Sequence, residues 1–334
     1  MRKLFVGLLV AMMCIVLVTG CGGASSSSGD GSSANDSSAS DSDSGSGEGT
    51  IGLSMGERDE WLSTLENGVK DAAKEAGYKV QVTDAQKDMQ TQIDQVKTLA
   101  DLGVDFIICL AQQLDTAESI RTAAGDVPIV FVTRQPDEKF LEEGKAVFAG
   151  SNPVEAGTIQ AEWDAAYFKD KSEKTLDVVM LEGNLGDPNQ IYRTASAYEG
   201  LEAAGFTVNK VFEDTADFDR AKALDKIQTF LGTGKHFDLI ISNNDEMALG
   251  AIEAMKALGL TTKEYPVLGI DGSANACASI QAGELSMSVF QNGPGQCAAA
   301  VDAGIALVNG DTADLINLVP WELVTPENVE DFVK

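Results

Sequence analysis

Short apolar runs alternate with amphipathic stretches along most of this chain. Ten runs have the length and composition of buried strands, and they form two consecutive series: residues 50–55, 79–83, 105–110, 128–133 and 146–150, then 176–181, 206–212, 237–242, 265–270 and 286–290. Between them, apolar residues such as Leu65, Val69 and Ala72 recur at helical spacing. This alternation predicts an α/β fold in which helices cover both faces of parallel sheets. The two similar series predict two doubly wound domains.

The first 48 residues follow a different pattern. Two basic residues precede a largely apolar run over residues 4–18, which is shorter than the roughly 20 residues of a membrane span and is typical of a signal peptide. Residues 18–21 (VTGC) resemble the lipobox of bacterial lipoproteins. This resemblance implies a lipoprotein signal peptide at residues 1–20 and lipidation of Cys21. An ordinary signal peptide cut elsewhere and an uncleaved anchor are the alternatives.

The segment after the signal peptide has an extreme composition. Residues 22–48 contain 12 Ser and 6 Gly and no large apolar side chain. Such a segment cannot bury enough apolar surface to offset the entropy that ordering would remove. We therefore predict that residues 21–48 are the lipidated cysteine and a disordered tether.

The composition argues against several functional classes. The chain has 52 acidic and 24 basic residues and a formal net charge of -28, which argues against a nucleic-acid partner. His236 is the only histidine, which argues against histidine-rich metal sites and histidine-based catalysis. The chain carries no P-loop, dinucleotide-binding fingerprint, nucleophile elbow or zinc spacing. We therefore predict no enzymatic activity, cofactor or metal, with a glycosidase-type pair of carboxylates as the enzymatic alternative.

Cysteine usage does not indicate a disulfide-stabilised fold. Cys14 leaves with the signal peptide and Cys21 is the lipidation site, so Cys109, Cys277 and Cys297 remain. Three cysteines without a close pairing are no disulfide framework, and Cys109 lies in an apolar run as a small hydrophobic side chain. Pairing of Cys277 with Cys297 stays open.

Polar and aromatic residues directly follow the predicted strands. Ligands of parallel α/β sheets bind beyond the carboxyl ends of the strands, and between two domains they bind in the cleft. The loops after the strands contain carboxylates and amides that pair with hydroxyl groups, arginines that hold adjacent oxygens, and two aromatic rings that can cover the apolar face of a sugar. This mixture suits a polyhydroxylated neutral ligand.

The body of the chain resembles the periplasmic sugar-binding proteins of ABC importers, above all the galactose/glucose- and ribose-binding group. The resemblance covers residues 50–334 and is most specific at 186–193 (GDPNQIYR), 243–250 (NNDEMALG), 267–271 (VLGID) and 324–329 (VTPENV). It implies the type I periplasmic-binding-protein fold, in which a hinge of three chain crossings joins two similar domains. The implied crossings lie near residues 151–153, 291–292 and 319–321. The implied domains are residues 49–152 plus 292–319 and residues 153–291 plus 320–334.

Position by position, the resemblance implies a set of ligand contacts on the loops that follow the strands. These residues are Asp59, Trp61, Arg134, Asp187, Asn189, Arg193, Phe218, Asn244, Asp271 and Gln291. Trp61 and Phe218 would lie on opposite faces of the bound ring. The contact that the family places after the third strand falls on Gln112 or Gln113. The calcium loop of the galactose type is absent before the sixth strand, so we predict no bound calcium.

The resemblance implies an extracytoplasmic solute-binding lipoprotein of an ABC transporter, located on the outer face of the cell membrane or in the periplasm. Its ligand would be an aldohexose such as galactose or glucose, or a pentose such as ribose, and a cyclic polyol stays open as well. Its partners would be the permease subunits and, through Cys21, the membrane. We expect a monomer that binds and delivers without chemistry. The alternative function is a sugar sensor that presents its ligand to a chemoreceptor or a sensor kinase.

Overall fold

The computed structural model describes residues 49–333 of the chain. The predicted signal peptide, the lipidated cysteine and the tether lie outside these residues. Within them, strands and helices alternate along most of the chain. The strands are β1 (Thr50–Met55), β2 (Lys79–Asp84), β3 (Phe106–Leu110), β4 (Ile129–Val132), β5 (Ala146–Gly150), β6 (Thr175–Glu182), β7 (Thr207–Thr215), β8 (Leu239–Ser242), β9 (Val267–Leu268), β10 (Ser288–Phe290), β11 (Ile316–Leu318) and β12 (Glu322–Val324). The helices are α1 (Glu60–Glu75), α2 (Met89–Asp101), α3 (Ala117–Ala124), α4 (Pro153–Tyr167), α5 (Pro188–Ala203), α6 (Arg220–Leu231), α7 (Asp245–Ala257), α8 (Ala274–Gln281) and α9 (Gly293–Asn309), with 3₁₀ turns at Leu114–Thr116, Glu138–Phe140 and Val329–Asp331.

Six parallel strands form the first sheet, in the order β11-β5-β4-β3-β1-β2. Strands β3, β4 and β5 are buried along their whole length, as expected of strands that are covered on both faces. Helices α1 and α9 cover one face, where Leu65 and Val301 enter the core. Helices α2 and α3 cover the other face, where Leu99 and Ile120 are fully buried.

Four parallel strands form the second sheet, in the order β7-β6-β8-β9. Successive residues of β6 serve the two faces in turn, as the pleat of a strand requires. Val179 packs in the core with α6, α7 and α8, whereas Val178 packs with α4 and α5. Strands β10 and β12 form an antiparallel pair, and a parallel bridge from Asp271 to Phe290 links this pair to the segment after β9.

The predicted α/β class with parallel sheets agrees with this architecture, and each of the ten predicted strands is present. The ninth is shorter than predicted, at Val267–Leu268 instead of residues 265–270. The apolar pattern does not predict β11 and β12, because most of their residues are only partly buried or exposed, so neither has the apolar run of a buried strand.

The chain passes between the two sheets three times, at residues 151–152, 291–292 and 319–321. The crossings are tied to one another by hydrogen bonds. The Ser151 hydroxyl donates to the Val319 carbonyl at 2.7 Å, and the Trp321 indole Nε1 donates to the Asn152 carbonyl at 2.7 Å. These bonds fix the first and third crossings side by side.

Two further features of residues 49–333 bear on the sequence predictions. Cys109, Cys277 and Cys297 are buried free thiols, so the structure contains no bond between Cys277 and Cys297. No helix in this part of the chain is both long enough and apolar enough to cross a membrane.

Candidate ligand-binding cleft

Three of the predicted site residues begin helices. Asp59 accepts a hydrogen bond from the Leu62 amide at 2.6 Å at the start of α1, and Asp187 accepts one from the Asn189 amide at 2.8 Å at the start of α5. Asn244 accepts one from the Met247 amide at 3.0 Å at the start of α7. A polar side chain after a strand therefore serves two purposes here, because it caps the next helix and also faces the space between the sheets.

The ten predicted residues line one cavity of about 40 Å³ between the carboxyl edges of the two sheets. Leu62 and Thr133 complete its lining. The cavity shares Asp59, Trp61 and Phe218 with a neighbouring chamber of about 270 Å³. It shares Arg134 and Asn189 with a larger one of about 590 Å³ at the mouth of the cleft. The structure thus brings all ten residues together.

The loop after β3 lies outside this cavity. Gln112 and Gln113 line another chamber of about 510 Å³, together with Glu57 and Lys87, and this chamber shares Asp187 with the cavity. The buried Gln92 fixes this loop, since its side chain donates to the Leu110 carbonyl and accepts from the Gln112 amide, both at 2.8 Å. Neither of the two candidate glutamines therefore reaches the cavity in this structure.

Arg134 is buried and joins the two sides of the cleft. Its Nη2 forms an ion pair at 2.8 Å with Asp187, which precedes α5 on the side of the second sheet. The same Nη2 forms another ion pair with Glu57, which follows β1 of the first sheet. Its Nη1 donates to the Ala111 carbonyl at 3.1 Å. Burial alone would lower the pKa of Arg134, but the two carboxylates outweigh burial and raise it. The Nε of Arg134 is buried without a partner.

Arg193 is equally buried but is held by groups of a different kind. Its Nη1 donates to the Asn243 carbonyl at 2.7 Å and lies 3.7 Å from the Asp271 carboxylate. Its Nη2 donates to Gln291 at 3.1 Å, and its guanidinium carbon lies 5.3 Å from the centre of the Trp321 ring. Burial lowers the pKa of Arg193 despite the nearby carboxylate. Its Nε also has no partner.

Asp271 has a backbone conformation that is unusual for a residue with a side chain, with φ at 130°. Asp245, on the first turn of α7, fixes the backbone of the two residues that follow Asp271. The Asp245 carboxylate accepts from the Ser273 amide at 2.8 Å and from the Ser288 hydroxyl at 2.6 Å, and that hydroxyl accepts from the Gly272 amide at 3.0 Å. Burial raises the pKa of Asp271 well above its ordinary value and that of Asp245 to about 6.

The two aromatic residues both face the cavity. Trp61 lies on the first turn of α1, and Phe218 lies on the loop after β7 with a positive φ of 58°. The Phe218 ring is packed against Gly183, where a Cβ would lie 1.9 Å from the ring. Only a glycine at that position allows the ring to take this place.

Sequence reasoning missed Glu57, Trp321 and Asp245. Each has a clear partner in the structure, but its role depends on residues far away in the chain. Glu57 lies two residues before Asp59 in the loop after β1, so the position after a strand was an available signal. Nothing local marks the contact between Trp321 and Arg193.

One group of side chains outside the cleft has the spacing of a metal site. Asp177, His236 and Asp238 place ligand atoms within 4.8 Å of one another. Lys171 forms an ion pair with Asp238, and the Asp177 amide donates to the same carboxylate at 2.8 Å, so Asp238 already has partners. Within the part of the chain that the structure describes, the cleft contains no comparable group.

The comparisons with known proteins agree with this geometry. The sequence profile of the periplasmic binding protein domain matches residues 51–312. A protein of Rhizobium meliloti that is assigned to rhizopine binding is 34% identical over 290 residues, covering 85% of this chain and 92% of the relative. A D-galactose/methyl-galactoside-binding periplasmic protein of Haemophilus influenzae is 31% identical over 297 residues, covering 83% of this chain and 89% of the relative.

A solved structure extends the likeness to three dimensions. The ABC transporter solute-binding protein of Bacillus halodurans with bound myo-inositol is 31% identical and has a TM-score of 0.78, with 87% of this chain and 99% of the other covered. The chain therefore belongs to the periplasmic binding protein domain family, and both the resemblance to that family and the type I fold are confirmed. It is a binding protein rather than an enzyme, and its family implies an extracytoplasmic location.

Proposed function

We propose that this protein is the lipid-anchored solute-binding component of an ABC importer and that it binds a monosaccharide, or a cyclic polyol of similar size, in the cleft. The ten residues that line the cavity are the proposed ligand contacts. Cys21 is the proposed site of lipid attachment, and residues 22–48 are the proposed tether between the membrane and the binding domains. The permease subunits are the proposed receivers of the ligand.

The state of the two arginines is the observation that carries the proposal. Arg134 and Arg193 line the same cavity, and each retains a buried Nε without a hydrogen-bond partner. A buried donor without a partner costs about 1–3 kcal/mol, so it is rarely left without a purpose. Two hydroxyl groups of a ring ligand would supply the missing acceptors.

The arrangement of the contacts supports a closing mechanism. Asp59, Trp61 and Arg134 come from the side of the first sheet, whereas Arg193 and Asp271 come from the side of the second. A ligand that touches both sides binds the closed arrangement better than an open one, and it shifts the population by that difference in affinity. We place the two domains at residues 49–152 plus 292–319 and residues 153–291 plus 320–334, with the hinge at the three crossings.

The relatives bear on the ligand class. The Bacillus halodurans protein was solved with myo-inositol, a neutral ring that carries a hydroxyl group on each carbon. The cavity of this chain offers carboxylates, amides and single arginine donors, which suit several hydroxyl groups around one ring. We therefore include cyclic polyols beside galactose, glucose and ribose among the proposed ligands.

A thermal-shift panel tests the proposal directly. The purified chain would be heated with galactose, glucose, ribose and myo-inositol in turn, with the disaccharide sucrose as a control of roughly twice their size. A ligand that binds only the folded form at 100 times its dissociation constant stabilises it by about 2.7 kcal/mol, so the melting temperature rises by several degrees. If no monosaccharide or cyclic polyol raises the melting temperature, the proposal is wrong.

A further inference from the structure

Glu57 stands out among the residues near the cleft because it is a buried carboxylate in contact with Arg134 without lining the cavity. It is 4% exposed and forms an ion pair with Arg134 Nη2, and its other oxygen lies 3.2 Å from the ammonium of Lys87. Burial by itself would raise the pKa of Glu57, but the two cations outweigh burial and lower it. Glu57 is therefore ionised at neutral pH and is in contact with the guanidinium of Arg134.

This contact changes what Arg134 can offer a ligand. Nη2 is shared by Glu57 and Asp187, and Nη1 faces the carbonyls of Ala111 and Gln112. Only Nε remains without a partner. An arginine that binds a carboxylate or a phosphate usually does so with two parallel N–H groups and an uncompensated positive charge. Arg134 has neither, so it can donate one hydrogen bond to a neutral oxygen.

The charges around the cavity also disfavour an anionic ligand. Asp59, Asp187 and Asp271 line the cavity together with Arg134 and Arg193, and Glu57 is a further carboxylate in contact with Arg134. Burial and, to a lesser extent, the nearby charge of Glu57 raise the pKa of Asp59, which lies two residues further along the same loop. Part of the Asp59 residue is nevertheless exposed to solvent. Because Glu57 and Asp187 both form ion pairs with Arg134, an anionic ring in this space would meet carboxylates at short range without an uncompensated Arg134 charge to attract it.

We propose that Glu57 is a specificity-determining residue that neutralises Arg134 and thereby makes the cleft reject anionic rings in favour of neutral ones. The inference rests on the proposed function, because it names the charge class of the ligand for the same site. Asp187 contributes to the same neutralisation from the opposite side of the cleft. Uronic acids and phosphorylated polyols are the ligands that the site excludes.

The test uses matched pairs of neutral and anionic rings. Calorimetry would measure the dissociation constants of D-galactose and D-galacturonate, D-glucose and D-glucuronate, and myo-inositol and myo-inositol 1-phosphate. The quantity of interest is the ratio of the anionic to the neutral dissociation constant for a pair whose neutral member binds. We expect this ratio to exceed about 100 in the wild type and to fall at least tenfold in Glu57→Gln, because removing one buried charge leaves Arg134 with a surplus positive charge.

Two more variants complete the experiment. Glu118→Gln, which removes an exposed carboxylate on α3, should leave the ratio unchanged. Lys87→Gln removes the solvent-exposed cation that pairs with Glu57, so it should raise the ratio severalfold. If Glu57→Gln does not fold, this variant tests the role of the Glu57 charge in its place. A ratio that stays the same in Glu57→Gln, or that fails to rise in Lys87→Gln, would overturn the inference alone. If no neutral ring binds the wild type, the proposed function fails and the inference fails with it.

Discussion

Arg134 and Arg193 occupy opposite sides of one cavity, and both leave Nε unpaired, yet their surroundings differ in kind. Arg134 is balanced by carboxylates from both sides of the cleft, and its pKa is raised. Arg193 relies on a carbonyl, an amide and a more distant carboxylate, and burial lowers its pKa. Arg134 thus links the two sides of the cleft through ion pairs. The charge of Arg193 is less fully compensated by the protein, so we expect a bound ligand to contribute more to its stabilisation.

The largest effect should come from removing Arg193. Arg193→Ala removes the cation that lies 3.7 Å from the buried Asp271 carboxylate and also removes a proposed donor to the ligand. A hydrogen bond from a charged donor contributes about 1.5–3 kcal/mol, so we expect calorimetry to show a loss of affinity of roughly 10- to 100-fold. Arg121→Ala, on the surface helix α3, should bind like the wild type. An affinity within threefold of the wild type in Arg193→Ala would contradict the assignment of Arg193 to the site.

A second prediction concerns a buried carboxyl group that has no hydrogen-bond partner. Asp164 on α4 is fully buried, and neither of its carboxylate oxygens has a partner. Burial raises its pKa well above the ordinary value of 3.8. The folded form therefore holds a proton that the unfolded chain has already lost, and the free energy of unfolding falls as the pH rises from about 4.

Asp164→Asn should remove this pH dependence. At pH 7.5 we expect the variant to be more stable than the wild type by about 1–3 kcal/mol in urea unfolding, and the gap should shrink at pH 4.5. Asp170→Asn, an exposed change just beyond α4, serves as the matched control. A variant that is less stable than the wild type at pH 7.5 would show that Asp164 has a stabilising partner.

A smaller effect should follow from weakening the link that Arg134 makes. Asp187→Asn keeps an oxygen to cap α5 but removes the charge that pairs with Arg134 across the cleft at 2.8 Å. We expect the unliganded protein to be more open, with a larger radius of gyration in X-ray scattering and an affinity about tenfold weaker. Asp88→Asn makes the same change at the cap of α2 and should alter neither quantity. Unchanged scattering in Asp187→Asn would show that the pair does not influence closure.

The fold could be predicted because apolar runs and helical spacing are local patterns, and parallel topology brings the carboxyl ends of strands to one edge. The choice of the ten site residues was implied by the resemblance to the periplasmic sugar-binding proteins, and the structure brings these residues to one cavity. The position after β1 was an available signal for Glu57, but its ion pairs with Arg134 and Lys87 could not be predicted because those residues are distant in the chain. The ninth strand was predicted too long because the backbone leaves β8 after Leu268, where the Gly269 and Asp271 amides donate to the Met287 and Val289 carbonyls instead. Gln112 and Gln113 follow a strand like the others, but their loop is fixed away from the cavity by Gln92.

The double use of helix caps limits how the binding specificity of this protein can evolve. Asp59, Asp187 and Asn244 each begin a helix and each line the cavity. Replacing a capping residue by one that cannot cap costs about 0.5–2 kcal/mol of stability. A change of ligand preference at these positions is therefore almost free only among Asp, Asn, Ser and Thr. Larger changes of preference should arise first at cavity residues that carry no such structural duty, such as Trp61 and Gln291.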